Sequence, residues 1–150
     1  MRKILFLCIA TLFIFSSCKK DEVDQKALDD EIIQKYIADH SYTASKTSSG
    51  LYYVIDVQGA GSYPTADSTV TVAYVGKLSN GGVFDQSNSL GATFPLANVI
   101  QGWKEGIPYY SEGGEGVLLI PSHLGYGASG SASIPANSVL IFEIVLIDVQ

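Results

Sequence analysis

The chain has 150 residues, of which 47% are hydrophobic and 16% are charged, so we expect one domain with a substantial core, preceded by a leader and a linker. Its formal charge is −6, and removal of residues 1–17, which carry Arg2 and Lys3 but no acidic residue, would take the charge to −8. This acidity argues against nucleic acid as a partner, because phosphates would repel the surface.

The first residues have the order of a secretory leader. Arg2 and Lys3 precede an apolar run from Ile4 to Phe15, which is shorter than the roughly 20 residues of a transmembrane helix. The ending Ser16-Ser17-Cys18 resembles the lipobox of bacterial lipoproteins. That resemblance implies that residues 1–17 are a signal peptide and that Cys18 is acylated. The alternative is an ordinary secretory signal with an incidental cysteine.

Acylation would also account for the cysteine usage. Cys8 lies inside the leader, so Cys18 would be the single cysteine of the mature chain. We therefore expect a lipid membrane as a partner, contacted through acylated Cys18. The implied location is the bacterial cell envelope, with the outer membrane favoured and either the periplasmic or the surface side possible.

Residues 18–49 are predicted to form a tether and a helical spacer. Between Val23 and His40 apolar residues recur at spacings of three and four, at Leu28, Ile32, Ile33, Tyr36 and Ile37. The acidic run Asp29-Asp30-Glu31 suits the start of a helix. We expect the helix to lie on the domain or to extend the stalk. A dimerisation helix is the alternative, but one short helix without sustained heptads favours a monomer. The Ser/Thr-rich stretch from Ser41 to Gly50 predicts a linker.

Residues 50–150 alternate between strand-like segments and turns. Apolar alternation and turn residues predict strands at Leu51–Val57, Ser68–Leu78, Val83–Asp85, Gly116–Ile120 and Ser138–Val149. Asn80-Gly81-Gly82 indicates a hairpin, because these residues tolerate positive φ. The near-continuous apolar run of the last strand predicts a central position in the sheet.

One short helix is predicted in this half, over Val99–Gly106, with Asn98 as its N-cap and Pro108 as its stop. So short a helix is unstable alone and must pack on the sheet. Trp103 lies one turn after the first two helical residues, so these side chains share a face, which we interpret as the floor of an apolar pocket. The predicted fold class is α+β, with a twisted antiparallel β-sheet wrapped around one short α-helix and an N-terminal helical spacer.

An ordered set of motifs resembles one known family. The segments are Tyr74-Val75-Gly76, Gly82-Val83-Phe84-Asp85, Val99-Ile100-Gln101-Gly102-Trp103, Ile120-Pro121, Tyr126-Gly127 and Ile134-Pro135-Ala136-Asn137-Ser138-Val139-Leu140-Ile141-Phe142-Glu143. None is decisive alone, but their order is specific. Over residues 50–150 the chain resembles the FK506-binding-protein (FKBP) family of peptidyl-prolyl cis–trans isomerases. With its leader, it looks like an exported bacterial lipoprotein form of that family.

The resemblance implies which residues line a proline-binding pocket. Trp103 would be the floor, Asp85 and Tyr126 a polar pair at the rim, and Ile100 the donor of a backbone N–H to a substrate carbonyl. The implied catalytic set is Asp85, Tyr126, Trp103, Phe142 and Ile100. The implied substrate-binding set is Tyr74, Phe84, Val99 and Ile134, with Ile134 in a loop over the pocket.

This inventory suits the chemistry of amide rotation. The barrier of an X–Pro bond, about 18–20 kcal/mol, comes from amide resonance, and no bond is made or broken. An apolar pocket that holds the proline ring and favours the twisted amide is sufficient. We expect no cofactor and no metal, since His40 and His123 are far apart and have no ligand pattern around them.

The expected function is therefore isomerisation of X–Pro bonds, which would assist the folding of exported proteins. The resemblance implies proline-containing polypeptides as partners, and macrolide inhibitors as possible ligands. Ala92 stands where some members place an aromatic wall residue. This difference favours the alternative of a non-catalytic peptide-binding or chaperone module that uses the same pocket. A surface β-domain for glycans or adhesion would explain the leader but not the ordered motifs.

Overall fold

The computed structural model describes residues 24–150. Within this range the helices and strands are α1 Gln25–Asp39, β1 Ser45–Lys46, β2 Tyr52–Val57, β3 Thr69–Leu78, β4 Val83–Gln86, β5 Ala92–Pro95, α2 Gln101–Gly106, β6 Glu115–Ile120 and β7 Leu140–Val149. Short 3₁₀ turns occupy Leu96–Asn98, Ile107–Tyr109, Ser122–Leu124 and Gly127–Ser129.

The seven described strands form one antiparallel sheet. The order is β1-β2-β6-β7-β3-β4, and β5 also pairs with β3. Strand β7 lies between β6 and β3, which explains its near-continuous apolar sequence. The predicted fold class is confirmed, and so is the central position of the last strand.

Helix α2 lies on one face of the sheet and is held there by close backbone contact with β6. A Cβ atom on Gly102 would come within 2.5 Å of Ile120 Cγ2, and one on Gly106 within 2.6 Å of Leu118 Cδ2. The neighbouring Trp103 and Ile107 are buried in the same core. These glycines therefore set the depth at which the six-residue helix sits on the sheet.

Helix α1 covers the opposite face of the sheet. Side chains alternate between faces along a strand, and the outward set packs on the helix through Tyr52, Val54, Val117, Leu119, Val139 and Ile141. The buried residues of the helix are Asp29, Ile33 and Tyr36. Leu28 and Ile32 are 41% and 37% exposed, so their inclusion in the apolar stripe was wrong. The helix therefore lies on the domain, which is one of the two predicted arrangements of the spacer.

The predicted start of α2 and the predicted place of the acidic run in α1 need correction. Asn98 ends the preceding 3₁₀ turn, and the residue before α2 is Ile100, to which no side-chain cap bonds. In α1 the N-cap is Asp24, whose carboxylate accepts from the amides of Lys26 and Ala27, while the run that begins at Asp29 lies further along. Pro108 lies just beyond the end of α2, within a 3₁₀ turn.

Two segments predicted as irregular contain strands. In the Ser/Thr-rich stretch β1 pairs with β2, with Ser45 opposite Tyr53 and Lys46 opposite Tyr52. The approach to α2 contains β5, which pairs with β3. Strands of two and four residues are too short to show a period in sequence, because pairing with a neighbour is what stabilises them.

The predicted signal peptide, Cys18 and the first residues of the tether lie outside the described residues. No helix of residues 24–150 combines the length and the apolar character that a membrane crossing requires.

We predict that Gly102→Ala destabilises the domain by about 1–3 kcal/mol, because the added methyl group overlaps Ile120 and forces α2 away from β6. The measurement is the free energy of unfolding in urea. Gln101→Ala is the control, since Gln101 is exposed on the same helix and its change should stay within about 0.5 kcal/mol. Equal effects of the two substitutions would contradict the tight contact.

Candidate active site

An aromatic cavity of about 350 Å³ opens beside α2. Its lining residues are Tyr74, Phe84, Asp85, Phe94, Asn98, Val99, Ile100, Trp103, Tyr126 and Phe142. This lining contains one carboxylate and neither histidine nor cysteine. A larger cavity of about 450 Å³ lies over the other face of the sheet, beside residues such as Val75, Glu143 and Val145. That surface lacks the indole floor, so the aromatic cavity is the candidate site.

Trp103 forms the floor of the cavity and is 4% exposed. Three aromatic rings meet it edge to face: Tyr74 at 5.2 Å between centroids, Phe142 at 5.2 Å and Phe94 at 5.6 Å. Such edge contacts are favourable and fix the plane of the indole. The indole Nε1–H is buried and has no acceptor among residues 24–150.

The side walls come from neighbouring strands of the sheet. Tyr74 belongs to β3, Phe84 to β4 and Phe142 to β7. The rings of Phe84 and Phe142 meet edge to face at 5.5 Å. Antiparallel register places Phe142 opposite Gly76, two residues beyond Tyr74, so the two aromatic side chains point to the same face. The sheet therefore brings together wall residues that are far apart in sequence.

Phe94 is a wall residue that sequence analysis missed. It lies on β5, with its ring 5.6 Å from Trp103 and 6.1 Å from Tyr74. Ala92 is two residues earlier on the same strand, so the two positions share a face. The wall therefore contains an aromatic ring despite Ala92. A strand prediction for residues 92–95 would have identified Phe94 as a wall residue. Asn98 also lines the cavity and was not predicted to do so.

The polar groups at the rim are arranged differently from the predicted pair. Asp85 Oδ2 accepts a hydrogen bond from the Tyr74 hydroxyl at 2.8 Å, and Oδ1 accepts from the amide of Gln86 at 2.8 Å. Tyr126 is 40% exposed, and its hydroxyl bonds to no group in the described part of the chain. Asp85 therefore orients Tyr74, while the Tyr126 hydroxyl is available to a ligand.

The backbone at the start of α2 presents a free donor. Ile100 is the residue before the helix, with φ −60° and ψ 154°, and its side chain and that of Val99 are half-buried at the cavity. The N–H of Ile100 donates to no acceptor within residues 24–150. This N–H lies at the cavity without a partner in the described residues, so it is suited to a ligand carbonyl.

Ile134 is the one implied site residue that is absent from the cavity lining. It is 4% exposed and packs in the main core, while its backbone exchanges hydrogen bonds with Ser131. The loop from Gly125 to Ser133 folds back on itself through this bridge. The core that contains Ile134 also contains Trp103 and Phe142, so the place of Ile134 over the pocket stays a prediction.

The protonation state of Tyr74 is well defined. Burial, followed by the hydrogen bond to Asp85, raises the pKa of Tyr74 to about 12. The phenol is consequently protonated near neutral pH and donates to the carboxylate. The cavity then presents aromatic faces, one oriented phenol–carboxylate pair, one free phenol and one free backbone N–H.

Comparison with known proteins identifies the family of the chain. A sequence model of the family described as FKBP-type peptidyl-prolyl cis-trans isomerase matches residues 61–147, more than half of the chain. The chain belongs to this family. The resemblance found in the sequence is therefore confirmed at the level of the family.

Relatives include an FKBP-type peptidyl-prolyl cis-trans isomerase FkpA from Buchnera aphidicola (Schizaphis graminum). It is 49% identical over 109 residues, which are 71% of this chain and 43% of the relative. FkpA from Escherichia coli K12 is 38% identical over 134 residues, covering 88% of this chain and 49% of the relative. The chain thus spans about half the length of these relatives.

Solved structures give the same result for the fold. The crystal structure of Escherichia coli FkpA matches with a TM-score of 0.76 and 37% identity, covering 87% of this chain and 62% of that one. A peptidyl-prolyl cis-trans isomerase structure from Pseudomonas syringae matches with a TM-score of 0.72 and 31% identity, covering 83% and 96%. The second match shows that nearly the whole of that isomerase chain has a counterpart in this one.

We predict that the stabilising effect of Tyr74 is lost at high pH. Its ordinary pKa of 10.0 applies to the unfolded chain and about 12 to the folded one, so the unfolded chain loses the proton first. The contribution is complete below pH 10 and disappears as the pH rises through about 12. The measurement is the free energy of unfolding of the wild type and of Tyr74→Phe between pH 8 and 12.

The difference between the two proteins should shrink over the upper part of this range. Burial also raises the pKa of Tyr110, but that residue is present in both proteins and cancels in the comparison. A difference that is constant from pH 8 to 12 would contradict the predicted ionisation of Tyr74.

Proposed function

We propose that this protein is a peptidyl-prolyl cis–trans isomerase that accelerates X–Pro isomerisation and assists the folding of exported proteins. The observation that carries the proposal is the aromatic cavity with Trp103 as its floor, in a chain that belongs to the isomerase family. The chain spans about half the length of its FkpA relatives, so its activity, substrates and partners are all parts of this proposal.

Substrate binding follows from the shape and the polarity of the cavity. A proline ring would lie on the face of Trp103, enclosed by the rings of Tyr74, Phe94 and Phe142. The N–H of Ile100 would hold a carbonyl of the bound peptide, and this bond would fix the peptide direction. Macrolide inhibitors would occupy the same apolar volume.

Rate acceleration would come from preferential binding of the twisted amide. In the planar amide, resonance places negative charge on the carbonyl oxygen, and water stabilises that charge. Rotation removes the resonance and lowers the negative charge on the oxygen. Transfer from water into an apolar cavity therefore costs less free energy for the twisted amide than for the planar amide. Phe142 and Trp103 provide this environment, and Tyr126 could donate to a substrate carbonyl at the rim. This is differential stabilisation of the transition state.

Asp85 would contribute in two ways. Its carboxylate orients the Tyr74 hydroxyl, which keeps that ring against Trp103. It is also the one charged group among the lining residues, and its negative field at the rim would favour a less negative substrate carbonyl, as in the twisted amide. The non-catalytic alternative rested on Ala92, and Phe94 supplies the aromatic wall that Ala92 lacks.

We predict that Tyr126→Phe lowers kcat/KM for a Leu-Pro peptide about fivefold, as expected when one hydrogen bond to the substrate is lost. The matched control is Tyr109→Phe. Tyr109 is 38% exposed and Tyr126 is 40% exposed, but only Tyr126 lines the cavity. Both variants lose one hydroxyl from a surface tyrosine, and the control should match the wild type.

The measurement is NMR exchange spectroscopy of the cis and trans peptide signals with the chain from residue 19 onwards. No acceleration by the wild type would refute the isomerase. If the peptide nevertheless shifted the indole signal of Trp103, the protein would be a peptide-binding module. An equal loss of kcat/KM in both variants would show that the effect of Tyr126→Phe does not come from a lost hydrogen bond to the substrate.

The oligomeric state that we propose is a monomer. A dimerisation helix needs an apolar face that is free for a partner. In α1 that face is occupied, since Ile33 is fully buried against the sheet of the same chain. This packing supports a monomer.

We further propose that the protein is a lipoprotein of the bacterial cell envelope, anchored through acylated Cys18 by fatty chains such as palmitate, with the outer membrane favoured. The support is the order of the leader: basic residues, a short apolar run and the ending Ser16-Ser17-Cys18. The tether from Cys18 to Asp24 would connect the anchor to α1. An enzyme held in this way would meet polypeptides as they are exported.

We expect Cys18→Ser to abolish fatty-acid labelling and to move the protein from the membrane fraction to the soluble fraction. Cys8→Ser is the matched control, because Cys8 lies in the leader that processing would remove. Labelling with radioactive palmitate and fractionation of cells provide the two readouts. Continued membrane association of Cys18→Ser would rule out this anchor.

A further inference from the structure

A buried carboxylate connects α1 to the loop that carries Tyr126. Asp29 is fully buried, although carboxylates are rarely buried without partners. Its Oδ2 accepts from the amide of Ser122 at 2.8 Å and from the Ser122 hydroxyl at 2.6 Å. Its Oδ1 accepts from the Gln25 side chain at 2.8 Å. No ion pair in the described range involves Asp29. Three donors thus compensate the buried group.

The position of Ser122 gives this contact its significance. Ser122 begins the 3₁₀ turn Ser122–Leu124, whose first amide has no partner within the turn. Asp29 therefore caps this turn from another element of the fold. Tyr126 follows four residues later, at the rim of the cavity. The hydrogen bonds from Ser122 to Asp29 therefore fix the start of the segment that carries the Tyr126 side chain.

Neighbouring contacts fix α1 and the same segment further. The His123 ring bonds to the carbonyl of Ser49 at 3.0 Å, and Ser49 Oγ donates to Glu105 of α2 at 2.7 Å. Asp30, next to Asp29, accepts from Lys46 and Tyr52. The hydrogen bond from Lys46 holds the pKa of Asp30 below its ordinary value. Helix α1, the loop after β6 and α2 are therefore joined by polar contacts around one buried carboxylate.

Apolar contact also docks the helix. Ile33 and Tyr36 bury the face of α1 on the sheet, and an apolar residue at position 29 would avoid the cost of desolvating a carboxylate. A carboxylate with directional donors specifies a single arrangement of helix and loop, which is the best-supported use of buried polar groups.

We propose that Asp29 is a positioning residue for the isomerase site, through which docked α1 holds the Tyr126 loop in its binding arrangement. The inference rests on the proposed function and deepens it. A pre-arranged loop binds a peptide without an ordering cost, whereas a loop that samples other arrangements binds more weakly in proportion to its competent fraction. Asp29 thus acts on peptide affinity and not on bond rotation.

The test compares Asp29→Asn with Asp39→Asn in the full chain. Asparagine keeps the size of the side chain but removes its charge, so the two hydrogen bonds from Ser122 lose their charge assistance, and an NH₂ group replaces the oxygen that accepts from Gln25. Asp39 lies on the same helix, is exposed and pairs with Lys35 on the surface. The measurements are the Kd of a Leu-Pro peptide, the exchange rate at saturating peptide, the hydrogen exchange of amides 122–130 without peptide, and Tm.

We expect Asp29→Asn to raise Kd about fivefold, as for loss of one net hydrogen bond, with the rate at saturation changed less than twofold. Amides 122–130 should exchange faster, and Asp39→Asn should match the wild type in every readout. A fall in Tm with unchanged Kd and unchanged amide exchange would overturn the proposal and leave Asp29 a purely structural role. A loss of rate at saturation with unchanged Kd would also overturn it.

Ser122→Ala provides a milder second variant, since it removes the hydroxyl donor and keeps the amide that Asp29 accepts from. It should change Kd and amide exchange in the same direction, and its effects should not add to those of Asp29→Asn. If Asp29→Asn fails to fold, Ser122→Ala decides the question alone. Hydrogen exchange of amides 122–130 is measured without peptide and without turnover. An inactive wild type would therefore refute the isomerase, while the exchange data would still test whether Asp29 holds the Tyr126 loop.

Discussion

The close contact between α2 and β6 is the constraint on which the site depends. A helix of six residues has no stability of its own, so its position is set by the surface beneath it. Glycine at 102 and 106 lets the helix backbone approach Ile120 and Leu118 directly. Trp103 is then held at a depth where its face is the floor of a cavity. Larger residues at these two positions would raise the helix and change the cavity at its base.

The cavity stays open because its walls support one another. Around Trp103 the rings of Tyr74, Phe94 and Phe142 are nearly perpendicular to the indole, and these contacts fix its plane. Each ring comes from a different strand, and the antiparallel register decides that all point inward. The Asp85–Tyr74 hydrogen bond fixes one of these rings from the rim. The result is an apolar surface of fixed shape with few polar atoms, which suits the proposed isomerisation.

The sheet is buried on both faces, and this links α1 to the function. Inward residues pack with α2, while outward residues of β2, β6 and β7 pack with α1. Full burial of a side chain such as Ile33 is worth about 1.5–3 kcal/mol, so α1 contributes to the stability of the domain. Its buried carboxylate then reaches the loop that supplies Tyr126. A segment that reads as a spacer is thus part of the structure around the site.

Local pattern was enough to predict the fold class, the central last strand and the place of Trp103, because alternation, turn residues and helix spacing act within a few residues of one another. The ordered motifs added the family and nine site residues, eight of which line the cavity. The leader and Cys18 remain predictions from sequence. The sequence analysis assigned the wrong cap at Asn98, and it did not find the strands β1 and β5, the hydrogen bond from Tyr74 to Asp85 or the bonds between Asp29 and Ser122. Most of these depend on contacts between segments that are distant in the chain, such as β5 with β3 or Asp29 with Ser122, and such contacts exist only once the sheet has brought the segments together.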